Sequence, residues 1–193
     1  MVAVIALAAS GAFSSSSSHS STSTGTRSTQ STPSATSAPA TTATTPATKT
    51  FSDPKLGISF AYPASWNQLT LAGTIATFGI GTGAAQTACG LISLPNQGPA
   101  SSSQEAQSAY VRGETAFAAS RTKGFKVLAI EAEQGANITG VGYTATSSGD
   151  GYHRAFFFRG RNVYVVSCVT PPAELTQVDQ QVFEPLLASV MIG

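Results

Sequence analysis

A long tract with nothing to bury sets the limits on what this chain can fold into. Between Ser14 and Thr50, 24 of 37 residues are serine or threonine. Pro33, Pro39, Pro46 and scattered alanines fill most of the rest, and no apolar side chain larger than alanine occurs there. Such a segment cannot offset the entropy of ordering, so it reads as a disordered, extended linker. As a random coil its ends would lie about 35 Å apart. The composition also matches O-glycosylated stalks, though a plain spacer fits equally well. Folding is left to residues Phe51 to Gly193, about 143 of the 193 in the chain. That is one domain, large enough to bury roughly two-thirds of the surface its unfolded chain exposes.

Ahead of the tract lies an apolar run from Val2 to Phe13. It is shorter than the ~20 residues of a membrane span, and no Lys or Arg precedes it. Two readings stay open. It is the end of a longer spanning helix, or it is an export signal with Ala6-Leu-Ala8 or Ala9-Ser-Gly-Ala12 at the cleavage point. Either reading places the C-terminal part outside the cytoplasm, secreted or membrane-anchored; the alternative is a cytosolic chain with a harmless apolar start. The run holds no cysteine, so it offers no lipid-bearing residue of the bacterial lipoprotein kind. Two of the ten Lys/Arg, Arg27 and Lys49, lie in the tract, which leaves eight against nine Asp/Glu from Phe51 onward. A domain with no excess of positive charge is a poor match for nucleic acid, whose binding rests on neutralising phosphates.

Within the domain, Gly57 to Tyr62 alternates, with Ile58, Phe60 and Tyr62 on one face of a strand that Pro63 ends or marks as an edge. Thr74 to Ile80 and Ala88 to Leu94 read as two further strands. Ser102 and Glu105 have capping-box spacing. They open a helix whose stripe is Ala106, Ala109, Tyr110, Gly113, Ala116, Phe117 and Ser120, closed by Gly124. Strands follow at Phe125 to Gln134, with Leu128, Ile130 and Ala132 on one face, and at Ile138 to Thr146. Tyr152 to Arg159 and Asn162 to Val169 then form a hairpin around Gly160-Arg161. That turn sets Phe157 opposite Tyr164 and Phe156 opposite Val165. A last helix from about Ala173 to Val190 carries Leu175, Val178, Val182, Leu186 and Val190, with a kink at Pro185. Strands, helix, four-strand meander and helix make an α+β domain with an antiparallel sheet flanked by helices.

Phe51-Ser-Asp-Pro-Lys-Leu-Gly-Ile-Ser-Phe-Ala-Tyr-Pro-Ala-Ser-Trp66 resembles the entry motif of PsbP/Mog1-like domains, in which a glycine leads an alternating strand into Tyr-Pro and then Trp. The resemblance spans Phe51 to Gly193. It is closest in style to secreted or anchored actinobacterial members, including LpqN-type lipoproteins. It implies an α-β-α sandwich used for binding or scaffolding. It carries over no site residue, and the chain departs from the lipoproteins in lacking their lipid-bearing cysteine.

The chemistry-bearing residues are few. Cys89 and Cys168 are the two cysteines. In an oxidising compartment they would form a disulfide closing a loop of about 80 residues, with two buried thiols as the alternative. Gly79, Gly81 and Gly83 lack the following helix that a phosphate-cradling loop requires, and read as a hairpin loop. His153 is the one histidine of the domain. It would need Asp53, Asp150 or Asp179 beside it to resemble a catalytic triad, and no Gly-x-Ser-x-Gly motif is present, so it reads as an ordinary strand histidine. Arg154, Arg159 and Arg161 read as a basic hairpin end able to meet a carboxylate or phosphate. Tyr62, Trp66, Phe78 and Tyr110 are candidates for an apolar groove or for core. Asn137-Ile-Thr139 is a formal N-glycosylation triplet.

The residues thus predict no catalytic, cofactor or metal site. They predict a monomeric, extracytoplasmic binding domain that engages a protein or cell-envelope component through Arg154, Arg159, Arg161, Tyr62 and Trp66. The alternative is a carrier of a small molecule or lipid, with a pocket between helix and sheet.

Overall fold

The computed structural model describes residues 47–193. The apolar run and nearly all of the tract, with the readings attached to them, lie outside the described residues. The strands are β1 (Thr48–Asp53), β2 (Ile58–Pro63), β3 (Asn67–Leu69), β4 (Ala76–Ile80), β5 (Thr87–Leu94), β6 (Lys126–Gln134), β7 (Thr139–Thr146), β8 (Gly151–Arg159), β9 (Asn162–Thr170) and β10 (Met191–Ile192). Helix α1 (Gln104–Arg121) separates β5 from β6. Between β9 and β10 run α2 (Leu175–Val178), a π-helical turn (Asp179–Phe183) and α3 (Glu184–Ala188).

A seven-stranded sheet in the order β3-β4-β5-β9-β8-β7-β6 is antiparallel throughout. A smaller sheet, β1-β2-β10, packs over one of its faces together with α2 and α3. There Ile58 and Phe60 of β2 meet Phe78, Leu91, Phe157 and Val166 of the large sheet, along with Phe183, Leu186 and Leu187. Helix α1 covers the opposite face. Its Val111 is fully buried against Ile92, Val141, Tyr143, Phe156, Val163 and Val165. Each such side chain taken out of water contributes roughly 1.5–3 kcal/mol before entropy is counted.

The β8–β9 hairpin has the predicted register, with Phe156 opposite Val165 and Phe157 opposite Tyr164. Gly160 begins the turn at φ +58°, a conformation that costs a residue with a Cβ. Beside this hairpin, β5 pairs with β9 so that Cys89 stands opposite Cys168. The two Cα atoms are 4.0 Å apart and the sulfurs are bonded. The disulfide reading therefore holds, and the thiol alternative falls.

Elsewhere the structure departs from the sequence pattern. The small residues proposed as the buried stripe of α1 are mostly outside: Ala109, Gly113, Ala116 and Ser120 are exposed, while Val111 and Thr115 are buried. The β-branched Val111, packed against the sheet, outweighs several alanines in choosing the face. Three consecutive serines offered a cap, and Ser103 supplies it, its Oγ accepting from the Ala106 amide at 3.3 Å, instead of Ser102. The helix stops at Arg121, with Gly124 in the turn beyond it at φ +70°. Leu128, Ile130 and Ala132 do not form a buried face. A bulge between Val127 and Ala129 breaks the alternation, and all three are exposed on the outermost strand. The C-terminal helix is broken earlier than Pro185, by the π turn. Its extra residue brings Phe183 and Leu187 inward beside Leu175 and Leu186. β1 takes in Thr48, Lys49 and Thr50, read from the sequence as the end of the tract.

A cross-link over 79 residues constrains the unfolded chain strongly. Replacing both cysteines by alanine should lower unfolding free energy by on the order of 4 kcal/mol, measured as a lower denaturant midpoint. Alkylation of the denatured, unreduced protein should label no cysteine. Labelling of both would contradict the bond.

Candidate functional site

Among the described residues, a buried set of ionisable groups lies between the large sheet and the C-terminal helices. His153 on β8 is 4 % exposed. Its Nε2 lies 2.9 Å from Glu133 Oε1 and its Nδ1 2.5 Å from Asp179 Oδ1. Glu133 comes from β6, two strands away, and is itself buried. It reaches across because the intervening strand carries glycine: a Cβ at Gly142 would lie 2.8 Å from Glu133 Cδ. Asp179 is the first residue of the π turn. The array therefore joins β6, β8 and the C-terminal segment through one ring.

Burial opposes charge on this imidazole. Hydrogen bonds to Asp179 and Glu133, with their negative charges, outweigh that and raise the His153 pKa to about 9. The ring is thus an imidazolium at neutral pH, with both nitrogens acting as donors. A triad base must be neutral at one nitrogen and face a nucleophile there. Here Glu133 occupies that position. Asp179, one of the three aspartates weighed from the sequence, does stand at the ring, while Asp150 accepts a bond from the Tyr152 hydroxyl at 3.0 Å. The arrangement holds charge between layers and does not activate a hydroxyl. Glu133 by itself carries no mark of this role in the sequence. The available signal was Gly140-Val-Gly142, two glycines on one face of a strand beside an acidic strand, which leaves room for a large side chain lying over them.

The five residues nominated for binding are dispersed. Arg154 lies in mid-strand under α1, not at a hairpin end. Its Nε donates to Ser167 Oγ at 3.1 Å, and its guanidinium lies 5.9 Å from the centre of the Tyr143 ring. Burial raises the nearby Glu114 carboxyl, and Arg154 pulls it the other way. Arg159 points to the opposite face and donates to the Ile192 carbonyl at 2.5 Å. Asn137 of the glycosylation triplet grips the same residue, donating to the Ile192 carbonyl and accepting from its amide, each at 3.0 Å. These two side chains pin β10, so neither is a free recognition group. Arg161 is exposed at the turn, its Nη2 3.4 Å from the Asn96 carbonyl. Trp66 is 5 % exposed and belongs to the core, which removes it as a contact residue. Tyr62 is half-buried and stacks on Phe78 at 4.0 Å. The glycines at 79, 81 and 83 lead through a short 3-10 turn (Gly83–Ala85) into β5, as a hairpin loop does.

Two clefts are notable. One, of about 320 Å³, lies between the start of α1 and the β6–β7 end, lined by Ser102, Gln104, Gln107, Glu133, Gln134 and Thr139. The other, of about 270 Å³, is lined by Leu69, Leu71, Thr77, Gln86, Ala88 and Val169. Among the described residues no group of three or more His, Cys, Asp or Glu is arranged to hold a metal ion. No described helix is long and apolar enough to cross a membrane.

No protein-family model matches the chain, and no curated protein does. Among solved structures, it is similar to cyanobacterial PsbP (CyanoP) from Synechocystis, with a TM-score of 0.53 at 11% identity over 79% of this chain and 96% of that one. Protein PA94 from Pseudomonas aeruginosa aligns at a TM-score of 0.43 and 16% identity, covering 69% of this chain and 89% of that one. A Bacteroides thetaiotaomicron protein aligns at 0.38 and 14%, covering 75% and 48%. The domain thus has a PsbP-like fold, as the entry motif implied.

The imidazolium makes stability depend on pH with a definite sign. Its folded pKa of about 9 exceeds the ordinary 6.5, so the folded state holds the proton more tightly. The stabilisation is complete below about pH 6.5 and is lost as pH rises through 9, up to about 3 kcal/mol in all. Urea unfolding at pH 6.5 and 9.5 should show this decline. In His153→Gln the decline should largely vanish, alongside a lower stability at the lower pH.

Proposed function

We propose that the chain is a non-enzymatic, extracytoplasmic binding or scaffold domain, held at the cell envelope by its N-terminal segment and tract, that engages a protein or envelope component. The observation that carries this reading is the closed state of His153, the one imidazole between Phe51 and Gly193. Both His153 nitrogens are bound to carboxylates, so the group most suited to acid–base work near neutral pH is committed to the fold. A disulfide at the centre of the sheet supports an oxidising compartment, because such bonds persist outside the cytosol. Function on this fold must be argued from the surface, since folds of one shape serve many ends.

The interior also favours a partner over a carried ligand. Both faces of the large sheet are filled with side chains, the apolar cleft of about 270 Å³ is at the small end for a ligand chamber, and the cleft of about 320 Å³ between α1 and the sheet is lined mainly by polar side chains. Of the five nominated residues, Arg161 and Tyr62 are those with accessible surface uncommitted to pinning a strand, and they are the proposed contacts.

The test uses the full chain. Fused at its C-terminus to a phosphatase that is active only after export, it should give activity on intact cells. The purified chain should bind isolated envelope saturably, and Tyr62→Ala with Arg161→Glu should weaken that binding about tenfold. Activity of a cytosol-only reporter, or envelope binding indifferent to both substitutions, would contradict the proposal. A lipid retained in native mass spectra would favour the carrier.

A further inference from the structure

We propose that the free edge of β6 is a self-pairing surface, through which two copies of the chain join in an antiparallel, two-fold symmetric pair. The large sheet ends at β6, which pairs with β7 on one side and with no strand on the other among the described residues. Such an edge presents main-chain donors and acceptors to any extended strand. This one also exposes two large apolar side chains, Leu128 at 53% and Ile130 at 40%.

The bulge selects the pairing. Val127 stands opposite Ala145 and Ile130 opposite Tyr143, so both side chains face the α1 side. Lys126 stands opposite Thr146 and Glu131 opposite Gly142, on the other side of the sheet. In an unbulged strand, positions 126 and 131 would face opposite sides. The extra residue at Leu128 brings them onto one side. A two-fold axis between Leu128 and Ala129 then sets Lys126 of one copy against Glu131 of the other, and Val127 against Ile130. Symmetry repeats both pairs, so the interface carries two opposite-charge contacts flanking an apolar centre. Lys126 and Glu131 are both exposed and available. A register centred on Ile130 would set Lys126 against Gln134 and lose both charge pairs.

Bulges usually blunt an edge against indiscriminate pairing. Here the same device admits one register and disfavours the others. A second copy of this chain is therefore the occupant whose charges the edge already complements. This surface is separate from the envelope contacts, and it replaces the monomer expected from the sequence.

Sedimentation equilibrium of the full chain, taken to high concentration, tests the pairing. The mass should rise from 19.6 kDa toward twice that value. Lys126→Glu or Glu131→Lys alone should weaken association about tenfold or more, because each turns both charge pairs into like-charge pairs. The combined Lys126→Glu, Glu131→Lys chain should recover it, a rescue that general destabilisation cannot produce. Ile130→Lys should abolish association while leaving the thermal midpoint near that of the parent. A chain monomeric at every concentration would overturn the proposal. So would association indifferent to the single reversals, failure of the combined variant to recover, or β6 amides protected only by a different protein.

Discussion

A charged ring closed away from water has to keep its partners, and that requirement ties the two halves of this domain together. His153 is on the sheet, Glu133 on its outer strand and Asp179 at the point where the C-terminal helix loses its α geometry. Removing either carboxylate leaves an underpaired ion in a poorly hydrated place, a costly state. The small features around the array follow from it. Gly142 is bare so that Glu133 can lie over it. The π turn begins at Asp179 and turns Phe183 inward, where it is fully buried.

The array is not the main source of stability. Desolvating three ionisable groups offsets much of what their attraction returns, and an apolar cluster of the same volume would hold the layers as firmly. Its contribution is positional. Apolar contacts between the helices and the sheet tolerate sliding, whereas two hydrogen bonds to one ring do not. Arg159 and Asn137 act in the same way on β10, gripping the main chain of Ile192 from two directions. The Cys89–Cys168 bond fixes the central strands covalently beside them. The side chains that chemistry would most readily recruit are therefore largely committed to holding layers in place.

Local patterns were readable where a short-range rule decides the outcome. The Gly160-Arg161 turn set its own register, and alternation located β2. The α+β class followed from element order. What escaped depends on distant partners. β1, β3 and β10 are short or polar strands that exist because another strand is beside them. The buried face of α1 is chosen by Val111 in its pocket, and a pattern rich in alanine cannot point there. Glu133 reads as an ordinary solvated charge on a strand, until Gly142 and His153 are placed beside it by the fold. The arginines grouped by sequence proximity separate because neighbours along a strand face opposite sides, as Arg154 does relative to Arg159.

The PsbP-like fold describes a scaffold, and the surface must supply the function. The account rests on the imidazole being permanently charged and enclosed at neutral pH. Nitrogen-detected NMR of the His153 ring measures that directly, with His153→Gln used to separate its signals from those of His19. The account predicts both ring nitrogens protonated at pH 7, with titration centred near 9. A neutral ring at pH 7, titrating near the ordinary 6.5, would contradict it and return His153 to the pool of groups free for catalysis.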